Sequence, residues 1–404
     1  MSSMSRRRAL AVLGSAAAAA ALPGCAPPTA DLPPEPPVLP PLPSGPVELT
    51  IFDVAGNLVI SKAMMKNFQA AHPELVSEYH YLKAPATDVI GKIKAQQNAG
   101  RVSIDLVLTG GDGLSSLRQE NMLIELFPRY ESALPDLAAR LVPGAMKMHQ
   151  SGGGYGVVAT YGPNGPLLEY APNRVPTPPK TPQELLAWAR QRPGRFCYPR
   201  PDNSGPGRTF LMALPYLLGD LDPKDPVRGW EKTWALLTEL DAFIDYYPSG
   251  TSEAFNQFAG GSRDIVVSTC SFDIGQRADG AIPADSAVAV FDGFHWVADS
   301  HFAALPRGMA AENIPVVLKL VDWMLRPDQQ ALAYDEGFIS FPVHGVTDAL
   351  ANPKGRRIAR EYGRPDFYPA LFASHPVETP LESDALASAF DLWNRRIGNG
   401  GANR

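Results

Sequence analysis

Only three of the 404 residues are cysteine, at positions 25, 197 and 270. So few thiols exclude a disulfide-stapled framework, and no CxxC or Cys/His spacing of the kind that holds zinc occurs. Cys197 and Cys270 could pair in an oxidising compartment, but nothing in their spacing requires it. Positive charge is also short: 36 Lys and Arg against 42 Asp and Glu give a formal net charge of -6, with no extended basic run in the body. A nucleic-acid binder needs a surface that neutralises phosphates, so nucleic acid is not an expected partner. Beyond residue 22 no apolar stretch reaches the ~20 residues that span a bilayer. Motifs of catalysis are missing too: there is no GxSxG, HExxH or P-loop, and Gly110-Gly111-Asp112-Gly113-Leu114 lacks the Lys of a phosphate-transfer loop. Scattered Asp and Glu leave open a hydrolase built on an acid pair, because such pairs meet only in three dimensions. The residues call for no cofactor.

What the sequence does have begins at its N-terminus. Arg6, Arg7 and Arg8 precede an uncharged apolar run, Ala9 to Leu22, which ends at Leu22-Pro23-Gly24-Cys25. Residues 1–25 read as an export signal with a lipobox, in which Cys25 is acylated and anchors the chain to a membrane. Ordinary signal cleavage is the alternative. Ser5-Arg6-Arg7 is similar to a twin-arginine signal but lacks the usual aromatic, so the export route stays open. Residues 26–46 are dense in proline, from Pro27 and Pro28 to Pro43 and Pro46, and can form neither helix nor sheet. They read as an extended tether of ~3 Å per residue, or as a disordered linker with the same use.

The rest is long enough for two lobes. Val47 to Phe52, Leu75 to Tyr81 and Ile104 to Thr109 read as strands, with helices at Leu58 to Phe68, Asp88 to Asn98 and from Leu114. This β-α-β-α-β-α order predicts a parallel sheet with helices on both faces. A second unit follows. Tyr155 to Tyr161, Arg195 to Tyr198, Asp264 to Thr269, Val288 to Phe291 and Phe302 to Leu305 read as strands. Helices fall at Gln183 to Arg190, Arg208 to Leu218, Trp230 to Leu240 and up to Phe258, and the tail from Ile314 is helical.

In that order the residues resemble family 1 extracellular solute-binding proteins of ABC importers, in the branch of polyamine and ferric-iron binders. The resemblance rests on the lipobox Leu22 to Cys25, the strand Ile104 to Val107, and the segment Thr181 to Ala189 with Pro193-Gly194-Arg195-Phe196. It includes Met324-Leu325-Arg326-Pro327-Asp328-Gln329-Gln330 and Glu336-Gly337-Phe338, and covers about 47–346. It implies an α/β, two-lobed periplasmic-binding-protein fold of type II, each lobe a mainly parallel sheet with helices on both faces. Strands near Val157 to Tyr161 and Asp299 to Leu305 would cross between lobes. Lobe I would hold residues 47–158 and about 302–345, lobe II 159–301 and about 346–404. The resemblance further implies a monomer that is exported to the periplasmic or outer face of the membrane. It would close on a small polar solute, anionic or zwitterionic, and deliver it to ABC permease subunits. A secreted hydrolase, or a lipoprotein sensor or assembly factor, is the alternative.

In such sheets ligands sit where loops after strands open helices. Free N–H groups and partial positive charge there suit an anionic or carbonyl group. Four loops have that place and nominate Asn57, Thr109, Asp112, Asn203, Ser204 and Ser249. At any of them the side chain could instead simply cap its helix. Arg208 opens the helix where polyamine binders of the family would carry an acid, which speaks against a linear polyamine. Asp273, Trp296 and Asp299 stand at positions similar to the family's acidic and aromatic ones, and Ser271 lies at the end of the buried strand Asp264 to Thr269. Tyr161 and Trp296 could stack on a ring, and core packing is the equal alternative for Trp296. Tyr246-Tyr247 invites comparison with an iron-binding pair and brings Tyr247 into the candidate set. The family's pair, however, follows the buried strand, where this chain has Ser271-Phe272-Asp273, so no metal is expected. His295, Asp299 and His301 alternate, but they read as an ordinary polar strand.

Overall fold

The computed structural model describes residues 32–84 and 88–398. The signal sequence and Cys25 lie outside the described residues.

The first β/α units fold as their periodicity predicts. Strand β1 (Val47–Asp53) leads to α1 (Leu58–Ala71), β2 (Val76–Lys83), α2 (Val89–Asn98), β3 (Leu106–Gly110) and α3 (Gly111–Gln119). β1 lies between β2 and β3 and is parallel to both, with Ile51 opposite Tyr81 and Leu106. Neighbouring residues of a strand face opposite sides. Lys62 of α1 lies over Tyr81, which shares the side of Ile51, whereas Lys92 of α2 lies over Phe52, on the other side. The sheet is therefore covered on both faces.

After α4 (Leu137–Arg140) and α5 (Pro143–Ser151), strand β4 (Val157–Gly165) crosses to the second lobe. It outruns the expected stop at Gly162, because Gly162 and Pro163 still pair with Asp299 and Ala298 of the returning strand. Lobe II holds β5 (Leu167–Tyr170), α6 (Pro182–Gln191), β6 (Phe196–Cys197), α7 (Gly205–Leu218), α8 (Glu231–Asp241) and α9 (Thr251–Ala259). It continues with β7 (Ile265–Ser268), α10 (Cys270–Ala278) and β8 (Ala287–Ala289). Its sheet, in the order β6-β7-β5-β8, is mixed rather than mainly parallel: only β6 and β7 run together, and β5 opposes β7 and β8. The cause is topological. β5 continues out of β4 away from the hinge, while β6 and β7 run towards it.

The return strand β9 (Trp296–Ala304) starts well before the expected Phe302. It is antiparallel to β3 and β4, with Ala303 opposite both Leu108 and Val157. Its first residues, Trp296 and Val297, belong to the cores of lobe II, and Phe302 to Ala304 belong to that of lobe I. One strand thus joins two separate cores. α11 (Asn313–Met324) and α12 (Pro327–Gln330) stay with lobe I. α13 (Pro353–Glu361), α14 (Tyr368–Ser374), β10 (Val377–Glu378) and α15 (Ser383–Trp393) return to lobe II, where Ile358, Tyr368, Leu386 and Trp393 enter its cores.

From Leu32 the proline-rich segment is not a free spacer. Leu32 and Leu39 pack on lobe I, and the Tyr130 hydroxyl donates to the Pro36 carbonyl at 2.6 Å. The Glu35 carboxylate pairs with Arg129 and, at 3.0 Å, with Arg307. A proline-rich strand has little conformational entropy left to lose, so a few such contacts suffice to hold it.

Candidate functional site

The β/α plan brings helix starts of both lobes to the hinge, but many of their N–H groups are already used. At α1, Asp53 at the end of β1 accepts from Asn57 N at 3.0 Å and Leu58 N at 2.9 Å. This carboxylate fills the place expected for a ligand anion. Asn57 itself is buried, its Nδ2 is 3.2 Å from His301 Nδ1 on β9, and its Oδ1 has no partner. At α7, Ser204 accepts from Gly207 N at 3.3 Å and lies 2.8 Å from the Thr251 hydroxyl. Asn203 donates to the Ser249 carbonyl at 2.7 Å, and Ser249 gives its N–H and hydroxyl to Glu253, both at 2.7 Å. These three residues cap and tie loops together.

α3 is different. Its N-cap, Gly110, has no side chain to offer, and Asp112 sits in its first turn. Thr109 is fully buried beneath it with an unpartnered hydroxyl, and only glycine fits at 113, where a Cβ would lie 2.1 Å from that hydroxyl. Here lobe I meets lobe II around a cavity of about 100 Å³. From lobe I it is lined by Gly111, Asp112, Ser115 and Arg118 of α3, with Ser151 and Gly152. From lobe II come Gly205, Arg208 and Met212 of α7 and the segment Thr379 to Ser383 with Leu386. Ala298, Asp299, Ser300 and Phe302 of β9 form the back.

The polar groups of this cavity are incompletely matched. Arg208 of lobe II stands 3.9 Å from Asp112 of lobe I, longer than a hydrogen-bonded ion pair. Its Nε is shielded from solvent and has no partner. Ser300 is 3% exposed, and its hydroxyl is likewise unpartnered. Asp299 accepts from Ser300 N at 2.9 Å and from Asn164 at 3.4 Å. The Ser383 hydroxyl reaches the Asp112 carbonyl at 3.4 Å, so α15 touches α3 across the lobes. In native interiors buried polar groups are normally paired, and an unpaired set facing a cavity marks a place for a ligand or water.

Of the residues nominated from sequence, Asp112, Arg208 and Asp299 line this cavity, with Asn57 and Thr109 at neighbouring helix starts. Others point elsewhere. Asp273 is fully buried and saturated: Arg277 and Arg364 each grip both oxygens, and the Tyr368 hydroxyl donates at 2.6 Å. Burial pushes its pKa up, but these hydrogen bonds outweigh it and hold the carboxyl below its ordinary range. Trp296 is also fully buried, packed on Phe294 and Phe372, with its indole N–H donating to the Leu371 carbonyl at 3.3 Å. Tyr247 bonds Asp241 at 2.9 Å and packs on Tyr198 and Trp393, away from Tyr246. The Tyr161 hydroxyl lies against Gly144, where a Cβ would come within 1.9 Å of it. Ser271 opens α10 beside Gly337 rather than the cavity. Cys197 and Cys270 are free and buried. His295 lies 2.9 Å from Glu378, and His301 turns to Asn57, so they do not converge with Asp299.

Sequence reasoning missed Glu382, Ser383 and Leu386, which come from a distant helix start, and Ser300, whose neighbours at 299 and 301 drew the attention. It also missed Arg118, about two turns into α3.

Comparison with known proteins agrees with this fold. Residues 63–353 match the family described as bacterial extracellular solute-binding protein. Protein YnjB of Escherichia coli (strain K12) is 27% identical over 321 residues, which is 72% of this chain and 76% of that protein. A putative spermidine/putrescine ABC transporter structure from Listeria monocytogenes superposes with a TM-score of 0.59 at 16% identity, covering 86% of this chain and 98% of its own. The apo ferric ion-binding protein A of Pasteurella haemolytica gives 0.61 at 12%, covering 87% and 97%. These last two share the fold. With most of its length matched by the family, the chain belongs to the bacterial extracellular solute-binding proteins.

Proposed function

We propose that this chain is the solute-binding component of an ABC importer, exported and held to the membrane by acylated Cys25. It captures a small polar solute with an anionic end between its lobes and hands it to a permease. The observation that carries this reading is the meeting of Arg208 from lobe II and Asp112 from lobe I in one cavity backed by a crossover strand. Strands β4 and β9 are the only continuous sheet between two separate cores among the described residues, which suits hinge motion. An open form exists beforehand, and contacts to both lobes favour the closed one.

The polyamine and ferric-ion ligands named for the two structural neighbours fit less well. The acid and the aromatic that would hold amines, Asp273 and Trp296, are committed to lobe II, and Tyr247 is committed to Asp241. No helix among the described residues is long and apolar enough to cross a membrane.

A thermal-shift screen of amino acids, polyamines, sugars, organic acids, phosphate esters and ferric chelates tests the proposal. A specific solute at 100 times its Kd adds about 2.7 kcal/mol. A blank across all classes, with no co-purified solute, would remove it.

A further inference from the structure

The cavity offers charge of both signs, and its two best-placed charges come from different lobes. Arg208 has a shielded, unpartnered Nε, and Asp112 is its only carboxylate neighbour within 4 Å among the described residues. Side-chain exposures of 25% and 29% leave both partly desolvated. A charge removed from water needs a counter-charge, and removing one member of such a pair strands the other. A solute with an anionic group alone would satisfy Arg208 and strip Asp112 of its partner. A cationic solute would do the reverse. A solute with both groups replaces one loose ion pair by two closer ones and leaves neither Arg208 nor Asp112 unmatched.

We infer that the site selects a compact zwitterion, with its anionic group on Arg208 and Ser300 and its ammonium group on Asp112. The assignment rests on the solute-binding reading above. Ser300 supports it independently, since this buried hydroxyl faces the cavity with no partner of its own. The Arg208–Asp112 pair then acts as a placeholder in the empty protein. It holds the lobes near closure weakly, and the solute trades it for stronger contacts. The negative element of specificity is Asp112, which repels simple anions that Arg208 alone would accept.

Calorimetric titration of the purified protein with four probes separates the cases: γ-aminobutyrate, phosphoethanolamine, butyrate and n-butylamine. The first two distinguish a carboxylate from a phosphate pole, and the last two carry a single charge. We expect one or both zwitterions to bind at least tenfold more tightly than either singly charged probe. Asp112→Asn should weaken zwitterion binding at least tenfold while narrowing the gap to butyrate. Ser300→Ala should weaken zwitterions and leave n-butylamine unchanged. The urea midpoint of each variant shows that it is folded. Equal binding of butyrate and γ-aminobutyrate, no effect of Asp112→Asn in folded protein, or no binding of any of the four probes overturns the zwitterion assignment. Solute binding as such falls only if the wider thermal-shift screen is also blank.

Discussion

The guanidinium of Arg364 and the carboxylate of Asp273 meet through two hydrogen bonds of 2.8 and 2.9 Å, 91 residues apart in the chain. This pair fastens the loop before α14 to α10, and Arg364 completes the fastening by donating to the Ser286 carbonyl at 2.6 Å. An acid that the sequence nominated as a ligand contact is instead a buried rivet of lobe II. Arg364→Ala should destabilise the protein by about 3 kcal/mol, because a fully buried carboxylate loses one of its two cations. Urea unfolding measures it, and a loss under about 1 kcal/mol would mean that Arg277 alone suffices.

Next to this rivet lies Glu169, fully buried on β5 with neither carboxyl oxygen hydrogen-bonded. Burial, and then the charge of Asp273, raises its pKa well above the ordinary 4.5. The folded protein therefore keeps a proton that the unfolded chain loses as pH passes that value. Stability from this group is full below it and falls as pH rises, until the folded-state pKa is reached. Glu169→Gln removes the dependence. The stability of the variant relative to wild type should rise with pH above the ordinary carboxyl range, by at most about 1.4 kcal/mol per pH unit while the folded protein still holds the proton. Unfolding curves at pH 5, 6, 7 and 8 check this, and a constant difference would show that Glu169 is ionised in the fold.

Trp296 and Arg208 should behave oppositely. Trp296→Ala empties a packed core site and should cost about 3–5 kcal/mol. Solute affinity of the folded fraction should stay within a few-fold. Arg208→Ala, at a partly open cavity wall, should change stability by less than about 1 kcal/mol and abolish binding of an anionic or zwitterionic solute. Loss of affinity in folded Trp296→Phe would place the indole back in the site.

The strap from Leu32 is held by few contacts, so its detachment should be local. Glu35→Ala should lower the NMR order parameters of the Val38, Leu39 and Leu42 amides while leaving those of β1 and β3 unchanged. Its effect on global unfolding should stay near about 1 kcal/mol, as for partly buried ion pairs shared with solvent. Unchanged order parameters in the strap would show that Leu32, Leu39 and the Tyr130 bond are sufficient.

The architecture was legible because it rests on periodicity. Apolar runs and helix stops placed β1 to α3, and Thr181 and Pro182 marked α6, whose Glu184 N–H indeed bonds the Thr181 hydroxyl at 3.1 Å. Strand direction in lobe II was not legible, since β5 is four residues long and its partners are set by the path out of the hinge. At the site, local signals identified helix starts correctly but could not say which were already satisfied. Asp53, Ser204 and Glu253 close three of them with carboxylate or hydroxyl groups from within the chain, and a cap and a ligand contact look alike in sequence. Arg208 and Asp112 could be nominated one by one. Their meeting, and the arrival of Ser383, depend on how the lobes come together.

The central claim is that one solute is held between the lobes by charges from each. Calorimetry of the wild-type protein with the solute giving the largest thermal shift tests it most directly, alongside Arg208→Ala and Asp112→Asn. The account predicts one solute per chain and a loss of at least tenfold in affinity in each variant, with both folded. A stoichiometry far from one, or unchanged affinity in both variants, would contradict it.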